Sequence, residues 1–233
     1  VSGQALQRKP RMTINWLLPK DGYLPRIGCC PLCGWVLTQN NGLCRYCWTY
    51  CLEHRLAYGE RVRPFAGFST RVLWDWGGAN DVGVRRLILS LKNGSGRPAL
   101  WDQLASALSA QALAPEGSDS KWVIVPCPPR KPGTMDHAVR LAHQLGLKLG
   151  LPVIHSLVRK DSGKKQRSLG RLERQIRSEQ SLFSTVDERN IYRDVLFVDD
   201  VVTTGATAQA AWVCLGRPRR FQVWALARRL PCR

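Results

Sequence analysis

Residues 195–207 read Val-Leu-Phe-Val-Asp-Asp-Val-Val-Thr-Thr-Gly-Ala-Thr, and few folds accommodate such a string. The apolar run Val195 to Val198 predicts a buried strand, closed by two adjacent carboxylates, Asp199 and Asp200, where a loop takes over. Thr203, Thr204, Gly205, Ala206 and Thr207 form a hydroxyl- and glycine-rich turn, and Ala206 to Leu215 predicts a helix. In open α/β sheets, ligands settle outside the carboxyl ends of the strands, often against a helix N-terminus. Backbone N–H groups from Thr203 to Thr207, with the three threonine hydroxyls, suit a phosphate monoester. Gly205 lets the backbone approach it without a Cβ in the way. Asp199 and Asp200 either bind vicinal ribose hydroxyls directly or hold magnesium through water. A sugar phosphate satisfies both halves of the motif.

The rest of the chain supplies strands and helices in alternation. Phe68 to Trp76 predicts a strand, stopped by Gly77-Gly78. Asn80 or Asp81 caps a helix with Val84, Leu87, Ile88 and Leu91 on one face, ended by Lys92-Asn93-Gly94. Lys92 there complements the helix dipole. A second helix runs over about 99–113 and a buried strand over Trp122–Pro126. Met135 to Leu149 is amphipathic, with Ala138, Leu141, Ala142, Leu145 and Leu149 inward and His137 and His143 read as surface or packing residues. Residues 52–66 lose periodicity and read as a connector, and Phe221–Ala227 forms a last strand. Right-handed crossovers then give an α/β fold, a mostly parallel sheet flanked by helices.

Nine cysteines call for a separate account, since six fall between Cys29 and Cys51. Cys30-Pro-Leu-Cys33 and Cys44-Arg-Tyr-Cys47 are two Cys-x-x-Cys knuckles, and four thiolates complete a closed tetrahedral zinc site. A closed site is structural, and Gly34 with Asn40-Asn41-Gly42 predicts two short strands between the knuckles. Cys29 is an alternative to Cys30, and Cys51 or His54 to a second-knuckle ligand. Clustered knuckles belong to a reducing, cytoplasmic setting rather than a secreted disulfide framework. The division expected is a leader over 1–27, a four-cysteine zinc-ribbon module over 28–60 and an α/β domain over 61–233. Residues 1–16 lack the apolar stretch of a secretory signal. No run approaches the 18 or more apolar residues of a membrane span.

Lys and Arg total 35 against 17 Asp and Glu, a net charge of +18 that calls for a polyanionic partner, a phosphate-rich ligand or a generally basic surface. Eight basic side chains fall in residues 159–177, Arg159, Lys160, Lys164, Lys165, Arg167 and Arg171 among them. This stretch either closes over a bound pyrophosphate, tracks a nucleic-acid backbone or is a solvated face. Arg130 and Lys131, in a proline-stiffened turn after the Trp122–Pro126 strand, either receive a pyrophosphate or decorate a loop. Trp35, Tyr46 and Trp48 either stack on a single strand or, more simply, pack the cysteine module.

The 195–207 string closely resembles the phosphoribosyl-pyrophosphate (PRPP) signature of type I phosphoribosyltransferases. With the paired knuckles, Leu91-Lys92 before a glycine turn, the Val-Pro-x-Pro strand end and Lys165-Gln166-x-x-Leu169, the chain over about 28–230 resembles the ComF (ComFC) family. In that family a small zinc module joins a phosphoribosyltransferase-like domain associated with DNA uptake in natural transformation. The resemblance implies PRPP or a related phosphosugar as ligand, with magnesium as its companion cation and structural zinc. Asp199 and Asp200 would orient the ribose, residues 203–207 hold the 5′-phosphate, and Arg130, Lys131 and Lys165 meet the pyrophosphate. Arg159, Lys160, Lys164, Arg167 and Arg171 would meet single-stranded DNA, and uptake proteins such as a helicase would be partners. The chain departs from the family at Lys131-Pro-Gly-Thr-Met-Asp-His137, where Arg-Gly-Phe/Tyr-Asn-Gln is usual, and at Arg177, where Asn is usual. Position 203, a carboxylate in purine-salvage enzymes with a similar signature, is Thr203, so an acceptor must arrive nucleophilic or be activated elsewhere. A pentosyltransferase, a nucleotide-salvage transferase and a non-catalytic single-strand-binding accessory are the three functions this leaves.

Overall fold

The computed structural model describes residues 29–56, 62–76, 82–92, 97–110, 122–129, 136–159, 182–184 and 194–229. Its centre is β6 (Asp194–Val202), whose residues Val195 to Val198 are buried on both faces, as an unbroken apolar run requires of an inner parallel strand. Around it, β1 (Val62–Phe65), β2 (Phe68–Trp76), β3 (Trp122–Pro126) and β7 (Arg220–Arg229) make a five-stranded sheet in the order β1-β2-β7-β6-β3. All neighbours are parallel except the β1–β2 hairpin. Val153 adds a single parallel bridge to Ile124 beyond β3.

Alternate residues of each strand serve opposite layers. Ile124, Leu196, Val198 and Leu226 meet the buried faces of α2 (Val82–Lys92), α3 (Pro98–Ser109) and α4 (His137–Leu149). Val125, Phe197 and Val223 meet α5 (Ala206–Cys214) and the small antiparallel pair β4 (Leu157–Arg159) and β5 (Leu182–Ser184). Helix α4 carries Ala138, Leu141, Ala142 and Leu145 inward as its periodicity predicts, and ends on Gly150 in the left-handed conformation. Among the described residues, no helix is long and apolar enough to cross a membrane.

Two expectations are corrected. Residues 34–43 form hydrogen-bonded turns rather than a pair of strands, with Cys30 N–H on Trp35 O at 2.7 Å and Gln39 N–H on Leu43 O at 2.8 Å. The second knuckle instead opens a helix, α1 (Arg45–Glu53), because Cys44 serves as its N-cap and no glycine or proline interrupts the nine residues that follow. The stretch over 52–66 is only partly a connector, since Val62–Phe65 pairs with β2 as its antiparallel edge. Pro64 hides that strand from a search for alternation, and an edge is the one place in a sheet that tolerates it.

The cysteine module is joined to the larger layer by shared burial. Leu32, Leu43, Cys47 and Cys51 belong to the same apolar cluster as Leu73, Trp74, Leu87 and Trp101. Trp74 Nε1 donates to Cys51 O at 2.9 Å, and Asn41 Nδ2 to Gln103 Oε1 at 2.8 Å. A Cβ on Gly83 would fall 2.2 Å from the Tyr50 ring, so α1 and α2 touch where only glycine fits.

Candidate functional site

β3 ends at Pro126 in register with Val198, while β6 and β7 stay paired beyond it as far as Val202 and Arg228. β6 runs on to Val202, so the two acids stand inside the strand rather than after it, and its alternation sends them to opposite layers. Asp200, on the side of Val198, is buried where two helices meet. Its Oδ2 lies 2.6 Å from Lys92 Nζ at the end of α2 and 3.2 Å from His137 Nε2 at the start of α4. Both approaches are within ion-pair distance. Asp136, the N-cap of α4, accepts the His137 backbone N–H at 2.7 Å and pairs with His137 Nδ1, so the imidazole bridges two carboxylates.

The charges follow from this packing. Burial works against a charged His137, but Asp136 and Asp200 outweigh it and raise the imidazole to about 9. Burial likewise opposes ionisation of Asp200, yet His137, Asp199 and Lys92 hold its carboxyl well below the usual range. Asp199 goes the other way. Burial and the adjacent Asp200 push it up to about 8, although its Oδ1 accepts the Asp200 N–H at 2.8 Å. The packing therefore drives the two acids apart, Asp200 towards its charged form beside Lys92 and His137 and Asp199 towards its neutral one.

Arg159 closes the other side. At the foot of the β4–β5 pair, opposite Leu182, it donates from Nε to Pro128 O at 3.0 Å and from Nη2 to Cys127 Sγ at 3.2 Å. Burial pushes the Cys127 thiol well up, with Asp199 adding to it. Because β4 and β5 pair here, the chain leaves for residues 160–181 and returns from them beside the end of β3.

The 203–207 loop hands β6 over to α5. Thr203 and Thr204 are exposed, Ala206 and Thr207 half-buried, and Gly205 buried as the N-cap at φ 77°, with Thr204 Oγ1 accepting the Ala206 N–H at 3.4 Å. The place a Gly205 Cβ would take lies 2.1 Å from the Ala66 Cβ of the β1–β2 turn. Glycine is thus required by that turn and by its own φ, a reason beyond an approaching phosphate.

The structure brings together Asp199, Asp200, the 203–207 loop and Arg159. Arg130, Lys131, Lys160, Lys164, Lys165, Arg167 and Arg171, like the leader over 1–27, lie outside the described residues. Lys92, Asp136 and His137 were missed as site residues. The topology held the signal, since the first residue of a helix that follows a parallel strand faces the sheet's carboxyl edge.

Direct ligation of magnesium at Asp200 Oδ2 does not fit here. It needs oxygen ligands at about 2.0–2.1 Å in near-octahedral array. The Asp200 oxygen facing the helices is already met by two cationic nitrogens, at 2.6 and 3.2 Å.

The second site is the cysteine cluster. The sulfurs of Cys30, Cys33, Cys44 and Cys47 all lie within 4.8 Å of one another, and those of Cys33 and Cys44 are 3.6 Å apart. Tetrahedral Zn–S bonds of about 2.3 Å demand sulfurs about 3.8 Å apart. Cys47 N–H points at Cys44 Sγ over 3.5 Å, and Cys30, receiving hydrogen bonds from Cys47 and from backbone groups, is lowered to about 5. The four could hold a metal ion such as zinc. Among the described residues no alternative ligand joins them: Cys51 is buried and raised to about 12, and His54 stacks on Tyr50 with Nδ1 2.8 Å from Tyr50 O. Of Trp35, Tyr46 and Trp48, the last packs against the core, whereas Trp35 is 53% and Tyr46 61% exposed, contrary to the packing role expected of them.

No family model matches the chain, and no curated protein sequence matches it.

Proposed function

We propose that this chain is a PRPP-binding protein with a type I phosphoribosyltransferase-like fold and a structural zinc module, of the ComF kind, working in DNA uptake. The observation that carries this reading is the meeting of a twin-acid strand end with a threonine-lined turn at a helix N-terminus, on the carboxyl edge of a parallel sheet. The Thr203–Thr207 loop takes the 5′-phosphate, and Asp199 and Asp200 take the ribose hydroxyls. In a transfer, the C1–O bond breaks with its electron pair leaving on pyrophosphate, and an acceptor lone pair forms the new bond to C1. Arg159, which donates to Pro128 O and Cys127 Sγ beside the strand end, would receive the departing anion. Thr203 offers no base, so the acceptor is a group already nucleophilic at neutral pH.

Calorimetric titration with PRPP tests this. Asp199→Asn/Asp200→Asn should lower affinity by about tenfold or more, since a charge-assisted hydrogen bond to Asp200 contributes roughly 1.5–3 kcal/mol. Unchanged affinity in the double variant would remove the reading. Pyrophosphate release with a panel of amine and base acceptors then separates transferase from carrier.

The exposure of Trp35 and Tyr46 favours a second reading, in which the same protein grips single-stranded DNA by stacking while its net charge of +18 attracts the backbone.

A further inference from the structure

Resting on the phosphosugar reading, one step further is carried by the two side chains that face Asp200. The buried carboxylate turns Oδ2 towards Lys92 and His137, which arrive from different helices at 2.6 and 3.2 Å. Neither is a chance surface contact. Val84, Leu87, Ile88 and Leu91 bury one face of α2 and fix where its last residue falls. His137 is held by the N-cap Asp136 and followed by the buried Ala138 and Val139. A magnesium ion on Oδ2 would have to occupy the space those nitrogens fill and face both positive charges across it. Lys92 is about one-third exposed, so its ammonium meets both the buried acid and whatever sits above it.

We propose that Lys92 and His137 take the place of a divalent cation at Asp200, so that this site binds the pentose 1-pyrophosphate 5-phosphate without magnesium, its anionic end against these two side chains. The carboxylate then serves two ends. It accepts from a ribose hydroxyl, and it holds the cations where the pyrophosphate arrives.

The full chain, with its cysteine-bound metal retained, is titrated with PRPP in buffer stripped of divalent cations on a resin. A dissolved chelator would attack the cysteine site and is avoided. The titration is repeated in millimolar magnesium. The two affinities should agree within about threefold. Lys92→Met should lose about tenfold or more in the stripped buffer and regain most of it with magnesium, which enters where the ammonium stood. His137→Gln supplies the same readout should Lys92→Met fail to melt like the parent. Wild-type binding that appears only with magnesium, or a Lys92→Met titration unchanged in stripped buffer, overturns the inference and leaves the phosphosugar reading standing. No binding in either buffer overturns that reading and the inference with it.

Discussion

The cysteine module and the carboxyl edge of the sheet are assembled in opposite ways. Four identical donors in the first come as two local pairs, Cys30/Cys33 and Cys44/Cys47, and turns of a few residues bring them within 4.8 Å. The second collects Lys92, Asp136, His137, Arg159 and Asp200 from the ends of α2, α4, β4 and β6, with unlike charges that set one another's protonation. A site built from local pairs depends on one neighbourhood of the chain. One built across a sheet depends on every element that reaches it, and its parts gain their chemistry only on folding.

The largest expected effect tests how local the cysteine site is in its consequences. Leu43, Cys47 and Cys51 share a core with Trp74, Leu87 and Trp101, so losing the metal should unsettle α2 and α3 as well as the module. Apparent binding free energies of structural zinc run to about 10–16 kcal/mol, comparable with the whole stability of a domain. Cys44→Ser/Cys47→Ser should therefore abolish bound metal and remove cooperative thermal unfolding of the entire chain. A variant without metal that melts as a single transition near the parent's temperature would make the module an ornament and break the comparison.

A smaller effect sharpens the description of the sheet edge. His137 is raised from 6.5 to about 9 in the fold, so the stability it adds is complete below pH 6.5 and is lost as the pH climbs through 9. Asp199, raised from 3.8 to about 8, works in the same direction, its contribution being lost as pH rises towards 8. Asp136 and Asp200 are lowered from 3.8, so their share is present above that value and is lost only in acid. Between pH 6.5 and 9 the melting temperature should fall by roughly 3–6 °C, the shift about 1–2 kcal/mol makes in a chain of this size. His137→Gln should flatten that slope. An equally steep decline in the variant would mean the imidazole is not held as a cation between Asp136 and Asp200.

The sheet and helices were largely readable because burial imposes period: the unbroken run in β6, the alternate faces of β2 and β7, and Leu141, Ala142 and Leu145 along α4. The clustering of Cys30, Cys33, Cys44 and Cys47 was readable from spacing, and the place of Asp199 and Asp200 on β6 from the apolar run before them. His137 was not, because a single imidazole at a helix start has no periodic signature and its role comes from a strand residue 63 positions later in the chain, Asp200. Lys92 was hidden differently: a cation in the last turn of a helix already satisfies the dipole, so nothing local asked for a second partner. β1 was lost to Pro64, and α1 to the expectation that a knuckle leads into strands.

The smallest effect on stability bears on whether the cysteine module does more than hold the fold. Trp35 and Tyr46 each stand within two residues of a cluster cysteine, Cys33 and Cys44, on segments that the four sulfurs tie together. Both rings are more than half exposed, so truncating them removes little buried area. Trp35→Ala/Tyr46→Ala should leave the melting temperature nearly unchanged, as surface substitutions usually fall within about 0.5 kcal/mol. Stacking is worth roughly 1–3 kcal/mol per base, so single-strand affinity measured by fluorescence anisotropy should drop at least about tenfold. The salt dependence should persist, because it reports phosphate contacts made by lysine and arginine rather than by rings. Loss of affinity with an unchanged salt slope assigns a stacking surface to the module and a backbone grip to basic residues elsewhere. Full affinity in the variant leaves the exposed rings without a part in nucleic-acid binding and returns all of it to charge.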